Sequence, residues 1–374
     1  MNTILVLKFP YSSVFGGGEQ HTLHLVAGLQ EKGFTCYYAG SCAVLLREFR
    51  QRRWPRRRWW AGPEPVSIGT ILVWPLLAAP AGFGLALLLL YYRLFRRVRV
   101  LYCLTLTEKL LGTLPARLLG MKVVWVEHVT IERWLTQNPL RLLYRWLSRL
   151  VTVVAVSQAV QRQLTELIHV RPGNAQVIYH GIDCSHFTPK EYRWEGVARF
   201  NVGCIARLER EKGIEYLIQA IKIVKEFVPV VRLIIVGEGT ERKKLVWLAA
   251  RLGLQESIQW VGHQRDVATW YHYFDAYVLP SVKRESFGLT LVESMASGVP
   301  VIGSRLGGIP EIIEHQVNGL LTAPGSSQDI ADQLMYLYNN RGEVGSMVRR
   351  ARQTVEQRFS RERMLRDYYL LLRK

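Results

Sequence analysis

Short apolar runs alternate with longer amphipathic stretches along most of the chain. Each short run is bounded by turn residues, which is typical of a buried strand, and each longer stretch has the apolar spacing of a helix. This alternation predicts parallel sheets covered by helices, which is an α/β fold. The predicted strands include Ile4–Leu7, Arg99–Leu104, Lys122–Val126, Val151–Val156, Leu233–Val236 and Asp275–Pro280.

The length of 374 residues suits two domains, and the 49% of hydrophobic residues can fill two cores. The five cysteines are scattered along the chain and form no C-x-x-C pair. We therefore expect neither a disulfide framework nor a metal site, and a reducing cytosol fits best. The first apolar run, which ends at Lys8, is predicted to be a buried strand rather than a signal peptide.

Two glutamates, Glu285 and Glu293, stand at the ends of an E-x7-E spacing inside the segment Leu279–Val301. The segment predicts a strand, a loop that carries Glu285, a helix that carries Glu293, and a second strand. The helix is expected to run from Gly288 to Ser297. The spacing alone is equally compatible with two solvated surface glutamates.

The start of that helix is a candidate anion site. The free backbone N–H groups of Gly288, Leu289 and Thr290 can meet a diphosphate, and the helix dipole favours the negative charge. Glu293 lies about 6 Å further along the axis and could accept hydrogen bonds from a ribose. Glu285 would then face the group at the other end of the diphosphate.

A glycine-rich stretch that contains Gly17 and Gly18 follows the first predicted strand and precedes a helix through Leu29. Glycine lets the backbone approach a phosphate closely because it has no side chain. A nicotinamide-binding turn would need G-x-G-x-x-G and an acidic residue about 20 positions later, and Thr35–Tyr38 contains none. His128 follows another predicted strand, at the sheet edge where such folds bind ligands.

Several segments resemble, in order, the motifs of the retaining, family 4 type glycosyltransferases, and the match extends over nearly the whole chain. His180 and Ala206 stand where the family more commonly has asparagine and glycine, and Glu19 is displaced by one position. Besides the E-x7-E segment, the matching segments are Gly17–His21, Val177–Phe187, Phe200–Gly213, Ile258–His263, Arg305–Glu311 and Asn318–Leu321.

The resemblance implies two Rossmann-like domains that face each other across a cleft, which is the GT-B arrangement. We expect residues 1–193 to bind the acceptor and residues 194–352 to bind a nucleotide sugar. A C-terminal helix, 353–374, is expected to cross back to the first domain. The polar stretch Lys190–Val197 is expected to connect the two domains.

The resemblance also implies the role of each site residue. Arg207 and Lys212 would neutralise the donor diphosphate, whose charge grows as the glycosidic bond breaks. Glu285 and His128 would orient the donor sugar, and Glu293 would hold the ribose. Val261 and Gly262 would lie beside the base, and Gly17 and Gly18 would bring the first domain's backbone to the diphosphate. We expect no metal, because the two cations could replace it, and we favour front-face attack on the sugar.

The net charge of +19 is compatible with nucleic acid, an anionic membrane surface or a polyanionic small substrate as the partner, and the distribution of the charge favours a membrane surface. The segment Arg47–Trp60 contains seven arginines interleaved with three tryptophans and Phe49. Arginine and interfacial tryptophan together suit anionic headgroups. Single-stranded nucleic acid could use the same mixture, but the chain has no nucleic-acid-binding signature, so we expect no nucleic-acid partner.

The segment Val66–Tyr92 contains no charged residue and is long enough for a transmembrane helix. Its glycines and prolines, however, favour two shorter helices joined at Ala79–Gly82, one of which could lie in the lipid interface. We therefore predict a membrane-associating segment over residues 47–92.

Together these features predict a retaining hexosyltransferase that acts on a nucleoside-diphosphate sugar. The acceptor is expected to be a lipid-linked or membrane-presented glycan for a surface polysaccharide, reached from the cytoplasmic face of the membrane. A nucleotide-sugar epimerase of the same fold, or a basic binding protein without catalysis, is the alternative.

Overall fold

The computed structural model describes residues 3–9, 16–189 and 199–373. The chain forms two compact units. Unit one extends to Tyr179 and includes the residues from Met364 onward, and unit two comprises His180–Arg363. The predicted boundary at residue 193 thus lies beyond the observed division, and the predicted connection Lys190–Val197 lies outside the described residues.

Unit one is built on a parallel sheet in the order β3-β2-β1-β4-β5-β6-β7. Strand β1 lies between β2 and β4, and it pairs Ile4 with Cys36 and with Val100. The inner strands are mainly apolar between their end residues, as expected where helices cover both faces of a parallel sheet. The described strands are β1 (Thr3–Lys8), β2 (Thr35–Gly40), β3 (Arg56–Arg58), β4 (Val100–Cys103), β5 (Lys122–Glu127), β6 (Thr152–Ala155) and β7 (Ala175–Val177).

Helices connect these strands. Helix α1 packs through Leu25, Val26 and Leu29, which recur at helical spacing and are buried. The described helices of this part of the chain are α1 (Gly17–Glu31), α2 (Ala43–Gln51), α3 (Ile68–Phe95), α4 (Leu106–Leu118), α5 (Arg133–Thr136), α6 (Arg141–Leu147) and α7 (Gln158–Glu166).

Unit two contains a second parallel sheet in the order β10-β9-β8-β11-β12-β13. The strand order reverses between β8 and β11, and open sheets of this kind bind ligands beside such a reversal, at the carboxyl ends of the strands. The predicted α/β fold with two Rossmann-like units is confirmed. The described strands here are β8 (Phe200–Ile205), β9 (Val231–Val236), β10 (Ile258–Gly262), β11 (Ala276–Leu279), β12 (Val301–Ser304) and β13 (Leu320–Thr322).

The helices of unit two bury apolar faces on its sheet. Helix α8 contributes Leu217, Ile218, Ile221 and Val224 to a core shared with β8 and β9. The remaining described helices of the chain are α8 (Ile214–Phe227), α9 (Arg242–Arg251), α10 (Ala268–Tyr271), α11 (Leu289–Ala296), α12 (Ile309–Ile312), α13 (Ser327–Asn339), α14 (Arg341–Arg358) and α15 (Arg361–Arg373).

The end of the chain forms two helices instead of the single predicted one. Helix α14 stops at Arg358. The amide of Phe359 still donates to Val355 O (2.8 Å), and beyond it the backbone pairs with Ile182. The amide of Ile182 donates to Phe359 O (3.0 Å), and the amide of Arg361 donates to Ile182 O (2.8 Å). The predicted start near Gln353 is therefore wrong, since that residue lies inside α14.

The residues of α15 from Met364 onward complete the core of unit one. Leu365 occupies the space above Gly28, where any Cβ would overlap with it. The hydroxyl of Tyr368 lies 3.1 Å from His21 Nε2 and 3.2 Å from the hydroxyl of Tyr102. Helix α15 is thus an integral part of the first unit.

Helix α3 is continuous over Ile68–Phe95, so the prediction of two shorter helices is wrong. A proline inside a helix removes one backbone hydrogen bond, and the rest of the helix can persist when packing supports it. The side chain of Ser67 caps the first turn by accepting from Thr70 N. Gly84 allows the ring of Trp59 to lie against the helix, since a Cβ there would be 3.1 Å from that ring.

The arginine- and tryptophan-rich segment is folded, and most of its aromatic residues face the protein. Phe49 on α2 is fully buried, and Trp54 is half-buried against it at 5.1 Å between ring centroids. Trp59 is also half-buried, and only Trp60 among the three tryptophans is exposed, at 62%. The prediction that these aromatics together form an interfacial surface is therefore wrong for Phe49, Trp54 and Trp59.

Candidate functional site

The loop after β11 holds Glu285 in a polar cradle. Its carboxylate is buried and accepts hydrogen bonds from Lys212 Nζ (2.8 Å) and from the hydroxyl of Ser281 (2.9 Å). Lys212 and Glu285 were predicted to contact different parts of the donor, and the structure pairs them. One ammonium proton of Lys212 is thereby directed at Glu285, which fixes the position of the charge.

The turn that carries Lys212 is bound to the same loop through its backbone. The carbonyl of Glu211 accepts from the amides of Val282 (2.9 Å) and Lys283 (3.2 Å). Arg207 precedes this turn at the carboxyl end of β8, with its side chain 59% exposed and 3.7 Å from the carboxylate of Glu211. Strands β8 and β11 are neighbours, so the loop after β8 presents Arg207 and Lys212, and the loop after β11 presents Glu285, at one edge of the sheet.

Three glycines let these loops approach each other. Gly213 and Gly307 adopt the left-handed conformation, with φ of 63° and 56°. A Cβ on Gly213 would overlap with Pro280 O, and a Cβ on Gly307 would overlap with Glu285 O. The amide of Gly308 donates to Glu285 O (3.2 Å). These glycines lie within the motifs that resemble the family. The close backbone contacts explain why glycine is needed at these positions.

Replacing Gly307 by alanine should disturb the Glu285 loop. Gly253 provides a matched control, because it is also left-handed (φ 66°) but has nothing within 4 Å of an added Cβ. We expect Gly253→Ala to cost about 1 kcal/mol of unfolding free energy. Gly307→Ala should cost about 1 to 3 kcal/mol more, because the overlap forces a backbone shift. Denaturant titration of both variants measures the difference, and equal losses would contradict the close approach.

Helix α11 begins where it was predicted to begin. Gly288 is its N-cap residue, with φ of 108°, and the first intrahelical bond is donated by Leu291 to Gly288 O (3.0 Å). The amides of Leu289 and Thr290 precede that bond and point out of the helix start. The helix dipole adds partial positive charge at the same place, next to the loop that contains Glu285.

Glu293 lies one turn further along α11 and is buried, with 3% of its surface exposed. The hydroxyl of Tyr271 donates to its Oε2 (2.8 Å) and is 3.1 Å from Thr290 O. Burial raises the pKa of Glu293 to about 7, and the hydrogen bond from Tyr271 offsets part of that rise. Sequence analysis missed Tyr271, which has no recognisable spacing to Glu293.

Val261 and Gly262 lie at the carboxyl end of β10, which is an edge strand. Gly262 has φ of 81°, and its carbonyl accepts from the amide of Gly237 (2.8 Å). The pairing of β10 with β9 shifts register at this point. The structure therefore places a distorted backbone turn at the same edge of the unit-two sheet, and the predicted contact with a base stays a prediction.

In unit one, Gly17 and Gly18 form the first turn of α1 rather than a separate turn before it. A Cβ on Gly18 would lie 3.4 Å from the ring of His128, which follows β5. The rings of His21 and His128 are 4.9 Å apart. The glycine segment and the predicted histidine are thus brought together, while residues 10–15 of the preceding stretch lie outside the described residues.

A buried charged network that sequence analysis missed lies next to His128. Lys109 Nζ donates to Glu127 Oε1 (2.5 Å), and so does the hydroxyl of Tyr144 (2.7 Å). On the same helix, Glu108 accepts from the amides of Leu104 and Thr105, and burial raises its pKa to about 7. The sequence signal was the Thr105-x-x-Glu108 capping box, which predicts a helix start but not a buried network.

Among residues 3–9, 16–189 and 199–373, no group of three or more His, Cys, Asp or Glu side chains could hold a metal ion.

Two family models match the chain in sequence. The model described as "Glycosyltransferase Family 4" matches residues 15–186, and the model described as "Glycosyl transferases group 1" matches residues 197–354. The second match contains Arg207, Lys212, Glu285 and Glu293. The family resemblance inferred from the motifs is confirmed.

Curated relatives include the N-acetyl-alpha-D-glucosaminyl L-malate synthase of Bacillus anthracis, which is 33% identical over 225 residues, 58% of this chain and 58% of that protein. The lipopolysaccharide core biosynthesis mannosyltransferase LpcC of Rhizobium leguminosarum bv. viciae is 30% identical over 219 residues, 52% of this chain and 60% of that protein. The chain thus spans little more than half the length of these relatives.

Among solved structures, HepE of Anabaena in complex with UDP superposes with a TM-score of 0.84. The alignment covers 100% of this chain and 99% of HepE, at 23% sequence identity. At this identity the likeness shows the fold, and the fold agrees with the two parallel sheets described above.

Proposed function

Because the chain belongs to the group 1 glycosyltransferases, we propose that it moves a sugar from a nucleoside diphosphate to an acceptor hydroxyl with retention of the anomeric configuration. One observation carries the donor assignment: Lys212 is held 2.8 Å from Glu285 beside the start of α11. A fixed ammonium and outward-pointing amides at one sheet edge suit a diphosphate.

In the proposed reaction, the bond between C1 of the sugar and the β-phosphate oxygen breaks, and its electron pair stays on the diphosphate. The acceptor hydroxyl bonds to C1 from the same face, and its proton passes to the departing phosphate oxygen. Lys212, Arg207 and the amides of α11 stabilise the charge that grows on this phosphate. These groups stabilise the transition state more than the bound substrate, because the negative charge on the phosphate is larger there.

The remaining site residues have roles in donor binding. Glu293, held in place by Tyr271, accepts hydrogen bonds from the ribose hydroxyls, and Glu285 contacts the sugar that the diphosphate carries. The roles of His128 and of the Gly17–Gly18 turn in unit one stay predictions. HepE, which shares this fold, has been crystallised with UDP, and this supports a nucleotide as the proposed ligand of the chain.

The proposed acceptor is a lipid-linked or membrane-presented glycan precursor of a surface polysaccharide. The name of LpcC, a lipopolysaccharide core mannosyltransferase, supports this class of acceptor. The exposed apolar helix and the arginine-rich segment of unit one support a peripheral location on the cytoplasmic face of the membrane.

A thermal-shift screen against UDP-, GDP-, ADP- and dTDP-sugars tests the donor assignment. A ligand held at 100 times its dissociation constant stabilises the protein by about 2.7 kcal/mol, which such a screen detects. A shift with one nucleotide, unchanged by magnesium or chelator, is the expected result. No shift with any of them would reject the donor site, and an epimerised free nucleotide sugar would assign an epimerase.

A further inference from the structure

Helix α3 uses only one of its faces to pack on unit one. Trp74, Leu85, Leu88, Leu89 and Tyr92 are the buried residues of the helix. At about 100° per residue they fall within an arc of about 100°. Leu85 lies against α4, where a Cβ on Gly112 would be 3.4 Å from it.

The opposite face of α3 is apolar and exposed. Its residues lie within a second arc of about 100°, centred about 160° from the packed face. The stripe runs for about 39 Å, since its ends are 26 residues apart along the helix. This apolar stripe consists of Ile68 (81% exposed), Leu72 (72%), Leu76 (78%), Phe83 (68%), Leu87 (51%), Leu90 (38%) and Leu94 (61%).

The two faces determine how α3 can meet a bilayer. Within the described part of the chain, α3 is long and apolar enough to cross a membrane by length and composition. A spanning helix, however, would have to leave α4 and give up the packing of Leu85 and Leu88. A helix with one face on its own domain and one face exposed can instead lie along the membrane surface.

Positive charge accompanies the stripe, and acidic residues are absent from the sequence around it. The arginine cluster comprises Arg56, Arg57 and Arg58 on the edge strand β3, together with Arg96 after α3; all four are exposed. The guanidinium groups of Arg57 and Arg96 lie 5.8 and 6.0 Å from the ring centroid of Tyr91 on α3. No aspartate or glutamate occurs between Glu64 and Glu108.

We propose that the apolar stripe and the arginine cluster form one docking surface for an anionic lipid bilayer, with α3 lying in the membrane plane. The stripe enters the boundary between headgroups and acyl chains, and the arginines contact lipid phosphates. A second copy of the chain would bring two arginine clusters together without counter-charges, so lipid is the better match.

This surface lies near the edge of unit one that is proposed to bind the acceptor. A link between docking and acceptor binding therefore rests on the proposed function. Glu64 accepts from the amide of Leu106 (2.6 Å), at the start of α4 and just past the carboxyl end of β4. The stripe begins with Ile68, only four residues after Glu64, so its Cα lies within about 14 Å of the Cα of Glu64. Docking would hold unit one's ligand-binding edge close to the headgroups, where a lipid-linked acceptor presents its sugar.

Vesicle flotation of the full chain tests the docking surface. The probes are vesicles of phosphatidylcholine alone and of phosphatidylcholine mixed with phosphatidylglycerol. We expect binding to the mixed vesicles, with at least about a tenfold loss of partitioning in Leu72→Gln/Leu76→Gln. The control variant Phe227→Gln/Trp247→Gln replaces residues of unit two that are 69% and 57% exposed, and it should bind like the wild type.

Each remaining outcome also decides the question. Loss of the preference for anionic vesicles in Arg57→Gln/Arg58→Gln supports the role of the arginine cluster. Wild-type binding by the stripe variant, or protein that resists carbonate extraction as a spanning helix would, overturns the proposal. Self-association would replace the proposal if the wild type forms a dimer in light scattering, the stripe variant is a monomer, and the wild type does not bind vesicles. A nucleotide-sugar thermal shift on the same samples reports the donor site separately.

Discussion

Lys212→Ala is expected to lower turnover about 100- to 1,000-fold, which is the usual cost of removing one group that stabilises transition-state charge. The ammonium lies 2.8 Å from Glu285, so its loss removes the best-fixed cation of the candidate site. Arg207 is exposed and contacts Glu211 only at 3.7 Å, so Arg207→Ala should have a smaller effect. Single-turnover kinetics with saturating donor measures both.

Folding must be separated from chemistry, because Lys212→Ala also leaves the buried carboxylate of Glu285 without its charged partner. The variant Lys212→Ala/Glu285→Gln removes the unpaired charge and should regain stability without regaining turnover. Recovery of turnover in that double variant, or near wild-type rates in Lys212→Ala, would remove Lys212 from the mechanism. Unfolding curves of all three proteins provide the comparison.

The second large effect concerns Glu293, whose ionisation should control donor affinity. Burial raises its pKa to about 7, so the free protein holds a mixture of carboxyl and carboxylate at neutral pH. Ribose hydroxyls donate hydrogen bonds and therefore bind the carboxylate better. We expect affinity for the intact nucleotide sugar to fall about tenfold between about pH 8 and about pH 6.

Glu293→Gln should bind donor about tenfold more weakly than wild type at about pH 8 and should show little pH dependence. Near pH 6 the two proteins should converge, since both then carry a neutral side chain. Isothermal titration calorimetry measures this with the intact nucleotide sugar, because a free terminal phosphate titrates in the same range. Parallel pH profiles in the two proteins would contradict the assignment.

The same ionisation affects folding in the opposite direction. The pKa of Glu293 is higher in the folded chain than in the unfolded one, so the folded state holds the proton more tightly. The stability contribution of this group is therefore fully present below the unfolded pKa of about 4.5 and is lost as pH rises through about 7. The free energy of unfolding that is lost between about pH 4.5 and about pH 7 reflects the burial of the ionised Glu293 carboxylate, which is the form proposed to bind the donor.

The geometry of the candidate site in unit two could largely be predicted from sequence because most of its residues lie on short loops that follow neighbouring strands. The helix start at Gly288 and the position of Glu293 inside that helix followed from local spacing. The pairing of Lys212 with Glu285 did not, because the two residues are far apart in sequence and meet only through the order of β8 and β11. Tyr271 was missed for the same reason, since it is 22 residues from Glu293. Ser281 is only four residues from Glu285, but the spacing does not show that the loop turns its hydroxyl to the carboxylate.

In unit one, predictions from local sequence patterns were wrong more often. The prolines and glycines of α3 predicted a break in the helix, but packing along α4 and the N-terminal cap formed by Ser67 maintain it. Trp54 and Trp59 matched an interfacial composition, but each is covered by a side chain or helix of its own domain. Composition indicates which residues favour an interface, and only the fold decides which of them reach it.

The position of α15 has a consequence for synthesis on the ribosome. Unit one needs Leu365 above Gly28 and Tyr368 beside His21, yet these residues are translated after all of unit two. The core of the nascent first unit therefore stays incomplete, with an apolar groove exposed, while about 180 further residues emerge at about 5 to 20 residues per second. A chaperone that shields apolar grooves would have a window of about ten seconds or more in which to act on this chain.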